Sequence, residues 1–447
     1  MDIKSIWKDY ENIPSFEELG NDLEVDVLVI GGGISGILAA RKLKEKGINV
    51  VLLEKNKIGS GVTSNTTAFV TAQHDILYSE LIEKVGLEKA KTYFDLNIKA
   101  ISEYRDLSKT YDFDFEMVDS VIHTSKDLEL IEKEINAYKM LDVDFEVIDA
   151  LPEAIENING RIIKGIKLKN QAIINPLKLI AELSKELEIY ENSCVYKVSG
   201  NTAFVKTSTG VNEVRFKKLV VATHYPLIDM FGMYYAKIHQ RLSYVVAFHY
   251  PSIKDVYTSI DENGLYFRKY KNYLIVGGFD KDHSNTGDIK DLVEKIKQKV
   301  DVSKFPMKYI WSNQDIITLD NIPYIGRYDS FHLNRFVITG FNMWGFTQSM
   351  IASNVICDLI SGNTSVDAQK AYELYYPLRS IFKKQLFLNL TNSVKSFMKL
   401  KTPRCTHMGS SLKYNNVEKT WECPCHGSRF KENGEVINGP ANHSINV

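Results

Sequence analysis

Two cysteines and two histidines near the C-terminal end have the types and spacing of metal ligands. Cys405-Thr406-His407 is C-x-H, and Cys423 to His426 contains C-x-x-H, with fifteen residues between His407 and Cys423. Two thiolates and two imidazoles suit a tetrahedral zinc site or a [2Fe–2S] centre with mixed ligands. A second constellation lies at the other end. Gly31, Gly33 and Gly36 form G-x-G-x-x-G, Ile34 and Ser35 sit between them, and Glu54 follows 23 positions after Gly31. Such glycines let a pyrophosphate approach a helix N-terminus, and the carboxylate accepts ribose hydroxyls, so a dinucleotide is expected. Glu rather than Arg or Lys at position 54 argues against a 2′-phosphate.

These residues need elements to hold them. Residues 25–30 are a continuous apolar run, as a buried parallel strand requires, and 49–53 are a second one. Between them Ile37, Leu38, Ala40 and Leu43 continue a helix, so the glycines sit in a complete βαβ unit. Residues 335–339 read as another strand, 340–345 as a turn with little side chain, and 347–360 as a helix with apolar residues at helical spacing. A helix N-terminus in that loop favours negative charge by ~0.3–1 kcal/mol. Residues 79–149 read as helices, and 226–315 mostly as strands rich in Tyr and Phe.

A chain of 447 residues implies two or three domains. A hydrophobic content of 44% and a charged content of 25% are those of a globular protein. The net charge of −1 gives no basic field for nucleic acid or an anionic membrane. No run of ~18 apolar residues occurs, the first twenty residues lack an apolar signal-peptide core, and a cytoplasmic location is expected. Five cysteines are no disulfide framework; three of them crowd into one segment, which points to a metal in a reducing compartment.

Four blocks resemble, in order, the D-amino-acid-oxidase-like (glycine-oxidase-like) FAD oxidoreductases, and the resemblance runs to about residue 365. After the glycine turn, "GSGVTSNTTAFVTAQHD" looks like the second flavin-contacting loop, which implies FAD rather than NAD and gives Thr63, Ser64 and Thr67 to the cofactor. "INPLKLIAELSKELEIYENSCVYKV" is similar to the helix and strand that pass the adenine at Val195, and "KKLVVATHYP" to the strand ending in Ala222 and Thr223. "DNIPYIGRY…RFVITGFNMWGFTQSM" resembles the C-terminal flavin segment, with Gly340, Gly345 and Thr347 near the isoalloxazine. "KELEIYEN" departs from the pattern in lacking the glycine that often precedes the adenine strand. "GLYFRKYKNYLIVGG" looks like the strand pair carrying a substrate-contacting arginine; by position that is Arg268, which would grip a carboxylate bidentately. His74 and His224 fall within the flavin blocks, where packing is the commoner role.

"CPCHGSRF" followed by "NGEVINGPA" resembles the cluster loops and Gly-Pro loop of Rieske proteins. That resemblance implies Cys405 and Cys423 on one iron and His407 and His426 on the other. Ser410 stands where many members have a cysteine paired with the one at Cys425, so that disulfide cannot form here. Ser428 matches a serine that donates to a bridging sulfide, whereas Phe430 lacks the hydroxyl found there in high-potential members. Little chain flanks the ligand loops, so the module looks truncated: either it packs on something else, the FAD domain being the expected surface, or its cluster is fragile.

The expected architecture is α/β. A Rossmann-like FAD domain carries an inserted α+β substrate domain (flavin parts about 20–78, 150–225 and 316–365; substrate parts about 79–149 and 226–315). A helical linker at 366–402 leads to a small all-β Rieske-type module at 403–447. The expected activity is a dehydrogenase that oxidises a C–N bond of a small amine or amino acid and passes electrons through the cluster to a one-electron acceptor, a protein or a quinone. The alternatives are an oxygen-using oxidase with a structural cluster, a reductase fed with electrons through the cluster, and a redox-sensing or RNA-modifying flavoprotein of the same fold.

Overall fold

The computed structural model describes residues 3–227, 232–250, 253–282, 289–301, 303–379, 403–416, 419–441 and 443–447, the side chains of 280–282 excepted. The strands in chain order are β1 (Leu23–Ile30), β2 (Val50–Leu53), β3 (Phe69–Val70), β4 (Glu116–Thr124), β5 (Glu146–Ile148), β6 (Lys164–Ile173), β7 (Glu188–Tyr190), β8 (Cys194–Ser199), β9 (Thr202–Lys206), β10 (Val211–Val221), β11 (Ile238–His249), β12 (Val256–Ser259), β13 (Leu265–Tyr270), β14 (Tyr273–Asp282), β15 (Met307–Thr318), β16 (Tyr324–Arg327), β17 (Arg335–Thr339), β18 (Lys413–Asn415), β19 (Thr420–Glu422), β20 (Arg429–Lys431) and β21 (Val436–Asn438).

The first sheet runs β16-β17-β10-β1-β2-β7, with β8 and β9 attached beyond β10. Its central pairs β17-β10, β10-β1, β1-β2 and β2-β7 are parallel. β1 and β2 are apolar almost throughout because both faces are covered, one by helix α1 (Ile34–Glu45) with the helix Gly345–Ser361. The turn before β8 is made without the missing glycine: Asn192 takes φ +51, a conformation that Asn tolerates better than most residues.

The second sheet runs β15-β11-β14-β13-β12-β4-β6-β3, with β5 on β6. The stretch 79–149 does form helices, Leu77–Val85, Leu87–Leu107 and Leu128–Met140, but it also contributes β4 and β5 to this sheet. β4 has five consecutive buried residues at its end, so it lacks the alternation that would have marked it as a strand.

The third sheet, β18-β19-β20-β21, is antiparallel, and its strands are three residues each. An isolated Arg404–Ser411 bridge closes the first ligand loop outside this sheet. Its core is small: Cys405, Leu412, Cys423, Phe430, Ala441 and Ile445. In the linker region Val366–Tyr375 is a helix capped by Ser365; residues 380–402 of the expected linker lie outside the described residues.

Candidate active site and cluster site

The C-terminal ends of β1, β2 and β10 open on a cavity of about 720 Å³. Gly31 lies between strands, with its N–H on the Leu53 carbonyl at 2.8 Å and φ +114. A Cβ there would sit 2.4 Å from the Ala222 carbonyl oxygen, and one at Gly36 would sit 1.9 Å from the Gly31 oxygen. Only glycine permits this crossing of strand and helix. Gly31, Gly33, Ile34, Ser35, Glu54, Thr63, Val195, Ala222, Thr223, Gly340 and Gly345 all line the cavity. Gly36 does not; it lets α1 pack against the turn. Glu54 accepts the N–H of Gly32 at 2.7 Å on one oxygen and that of Asn56 at 2.8 Å on the other, which fixes its carboxylate at the cavity wall. The amide end of α1, the glycine cradle and a fixed carboxylate fit a dinucleotide.

A smaller cavity of about 300 Å³ adjoins it, sharing Asn65, Asn313, Asp315, Met343, Gly345 and Phe346. The N-terminus of the helix Gly345–Ser361 therefore faces both spaces. Asn342 pins the loop before that helix: its side chain accepts from the Thr318 N–H at 2.8 Å and donates to the Gly340 carbonyl at 2.9 Å. Across the small cavity stand Arg241 and Asp315, directly opposed on β11 and β15, with Asp75 and Tyr266. Burial pushes Asp315 up to about 7, although Asn313 and Arg241 pull it down; burial likewise pushes Asp75 up to about 6 against Arg241.

Arg268 is not in either cavity wall, and the expectation that it grips substrate is corrected. Its side chain is 1% exposed and donates to the carbonyls of Thr67, Ala68, Ile174 and Lys269, with Trp7 stacked at 5.1 Å from the guanidinium carbon. It ties the loop after Thr66 to the second sheet. Two hydroxyls assigned to the flavin are also turned away. Ser64 donates back to the carbonyls of Ser60 and Gly61, and Thr347 donates to Thr71, each satisfied within its own fold element or neighbour. Thr67 lines the small cavity instead of the large one. His74 is a packing residue: both ring nitrogens are bonded, to Tyr93 and Thr71, its ring stacks on Trp344 at 4.6 Å, and burial lowers it to about 3.

The two Cys/His loops share one design. In the first, the Cys405 N–H bonds the Ser410 carbonyl and the Gly409 N–H returns to the Cys405 carbonyl; in the second, Cys423, Ser428 and Gly427 repeat the pattern. Gly409 and Gly427 both have positive φ, 81° and 76°. The loops face each other so that thiol meets thiol and ring meets ring. Cys405 and Cys423 hydrogen-bond through their side chains, and the rings of His407 and His426 lie 4.9 Å apart. The bond from Cys423 lowers the Cys405 thiol, with the Ser428 hydroxyl adding to it against burial. Among the described residues no three metal-binding side chains gather on one point. Two pairs suit two irons better than one tetrahedral ion.

Ser410 donates to the Cys425 sulfur at 3.1 Å, so serine occupies the position of a disulfide partner. Ser410→Cys is expected to close a disulfide with Cys425 under oxidising conditions. Across 15 residues this constrains the unfolded chain by about 3 kcal/mol. Thiol alkylation with mass spectrometry and thermal melts with and without reductant check this; two free thiols at these positions after oxidation would refute it.

The cluster module packs on the flavin side of the second sheet. Gln240 donates to the Gly439 carbonyl at 3.1 Å, Asn438 donates to Gln314 at 2.8 Å, Gln314 donates to the Gly427 carbonyl, and Arg429 donates to Ser312 at 3.4 Å. Glu435, Val436, Ile437, Asn438, Gly439 and Pro440 form part of the wall of the large cavity. Tyr225, in the same wall, meets the His407 ring edge-on at 6.0 Å. Sequence reasoning missed Arg241, Asp315, Gln240 and Gln314. Their only signal was a polar residue inside otherwise apolar strands.

The chain matches the family described as FAD dependent oxidoreductase over residues 26–359, and the Rieske [2Fe-2S] domain over residues 383–447. It is 29% identical to a Bacillus subtilis (strain 168) protein named as a Rieske 2Fe-2S iron-sulfur protein, YhfW, across 98% of this chain and 96% of that one. It is 24% identical to gamma-glutamylputrescine oxidoreductase of Escherichia coli (strain K12), across 78% and 86%. Among solved structures it resembles L-proline dehydrogenase from P. horikoshii, with a TM-score of 0.64 and 19% identity over 80% of this chain and 98% of that one. No helix among the described residues is long and apolar enough to cross a membrane. With the glycine cradle, the two-by-two ligand loops and a family match over three quarters of its length, the chain belongs to the FAD dependent oxidoreductases, binds FAD, and carries a Rieske domain that binds a [2Fe–2S] cluster.

Proposed function

We propose that the chain is a dehydrogenase that oxidises a C–N bond of a small amine or amino acid and sends the electrons through the cluster to a one-electron acceptor. The observation that carries this reading is the shared wall: the Gly-Pro loop of the cluster module borders the same cavity as the dinucleotide turn. The proposed cluster ligands are Cys405, Cys423, His407 and His426. FAD supplies two-electron hydride acceptance and the [2Fe–2S] cluster supplies one-electron transfer. A substrate CH–NH group loses two electrons and two protons to become an imine, and the electrons leave singly to the external acceptor. The relatives named for gamma-glutamylputrescine and L-proline support an amine or amino-acid donor.

The small cavity binds the substrate. Arg241, unlike Arg268, lines the small cavity, and its planar guanidinium is the group we assign to a substrate carboxylate. Asp315, opposite it and at the junction of the two cavities, faces the amine. The helix end at Gly345 favours the negative charge that accumulates at the cofactor. Asp315 is protonated below about pH 7 and charged above it, so it attracts a cationic ammonium only on the alkaline side. Apparent affinity for the amine is expected to rise as pH passes about 7, and Asp315→Asn should remove that limb. A pH series of flavin bleaching in both proteins measures it; an identical limb in the variant would refute the assignment.

The function is tested by anaerobic mixing with a panel of amines and amino acids. Flavin bleaching followed by a Rieske paramagnetic signal is the expected result. Bleaching reversed only by dioxygen, with peroxide formed and no cluster signal at any time, would overturn the electron route.

A further inference from the structure

Strands β11 and β15 set the small cavity apart from the cluster module by simple pleating. Successive side chains on a strand point to opposite faces. Arg241, Ser243, Asn313 and Asp315 line the small cavity, while Gln240, Ser312 and Gln314 bond the cluster module. Gln314 is the best connected of these. It is 2% exposed, and its side-chain amide donates to Gly427 and Gln240 and accepts from Asn438. Gly427 directly follows His426, and a Cβ at Gly427 would lie 2.7 Å from both Gln240 Oε1 and Gln314 Nε2, so loop and seat touch without clearance.

The backbone of the same residue serves the other side. The His224 imidazole hydrogen-bonds the Gln314 backbone, and its Nε2 is buried without a partner in a residue that lines the large cavity. Burial lowers His224 to about 4, so the ring is neutral at physiological pH and Nε2 is a bare acceptor. His224 is held at φ +66, a strained conformation for a residue with a Cβ, and Thr339 braces its carbonyl at 2.6 Å. An unsatisfied buried nitrogen at a strained position requires a donor from elsewhere, and a hydroxyl or N–H of the bound dinucleotide is the chemistry that fits.

We propose that Gln314 is the positioning residue that couples the two redox groups: its backbone orients His224 toward the cofactor cavity, and its side chain seats the loop that carries His426. This rests on the proposed route from flavin to cluster, but the two readouts that decide it, hydrogen exchange and the spectrum of the dithionite-reduced cluster, do not require turnover.

The test uses the full holoprotein with Gln314→Leu, which keeps the backbone but strips the seat, and Asn438→Ala, which removes one seat bond from the module's side. FAD content is the folding control. Losing one buried hydrogen bond raises the unseated population about tenfold, or about 1.4 kcal/mol. Amide hydrogen exchange across residues 427–441 should therefore speed up by that factor. The paramagnetic spectrum of the dithionite-reduced cluster should also shift, and cluster reduction should lag further behind flavin bleaching. Wild-type exchange and an unshifted spectrum in both variants would overturn the seat. A wild-type protein whose flavin bleaches without cluster reduction, but whose variants still show faster exchange and a shifted spectrum, would overturn the electron route while leaving the seat standing.

Discussion

Gly31→Ala is expected to yield a protein that does not retain FAD. The substitution meets two independent obstacles. The backbone at Gly31 has φ +114, where an alanine costs about 1–3 kcal/mol. Its Cβ would also sit 2.4 Å from the Ala222 carbonyl oxygen, which belongs to the neighbouring strand end and cannot swing aside like a side chain. Relief requires the ends of β1 and β10 to part, yet Ala222 N–H bonds Ile30 there at 2.8 Å. That parting opens the cradle that the pyrophosphate needs. Affinity should fall by about a hundredfold or more, the equivalent of roughly 2.8 kcal/mol. Gly20→Ala is the control, since a Cβ at Gly20 meets nothing within 4 Å. Flavin absorbance after gel filtration reads the outcome; full wild-type occupancy in Gly31→Ala would contradict the assigned role of the turn.

Cys423→Ser should abolish the Rieske signal and unfold the module around it. Cys423 is fully buried, and it and Cys405 are two of the six residues in the module's core. The strands are three residues long, so backbone pairing adds little. A core of this size rarely supplies more than about 3–5 kcal/mol even when complete, and in small metal domains binding is itself folding energy. The variant should therefore lose exchange protection from Cys405 to Ala441 while the FAD domain keeps its colour. Iron analysis, paramagnetic resonance and hydrogen exchange report on this together. A folded, iron-containing module in the variant would exclude Cys423 as a ligand.

The chemistry-bearing motifs were legible in the sequence because each is local. The glycine turn, α1 and Glu54 lie within one βαβ unit, and backbone geometry dictates glycine wherever a strand end and a helix cross at 1.9–2.4 Å. The Cys/His loops are two copies of one short hydrogen-bonded turn, each complete within six residues. The serine facing Cys425 was readable for the same reason.

The proposed substrate side was not legible, because its geometry depends on segments far apart in the chain. Arg268 sits on a strand with Tyr266, which lines the small cavity, so its spacing fitted a substrate ligand. Its guanidinium is instead consumed by carbonyls of Thr67, Ala68 and Ile174, which are 94 to 201 positions away, and by Trp7 from a segment that reads as mixed and polar. The pleat requires neighbours on β11 and β15 to face opposite sides, but alternation does not say what covers each side. Tertiary structure decided that one side holds the cavity of Arg241 and Asp315. The other holds Gln240 and Gln314 under the cluster loop, because the short module can bury its glycine-rich edge only against a surface that another part of the chain provides.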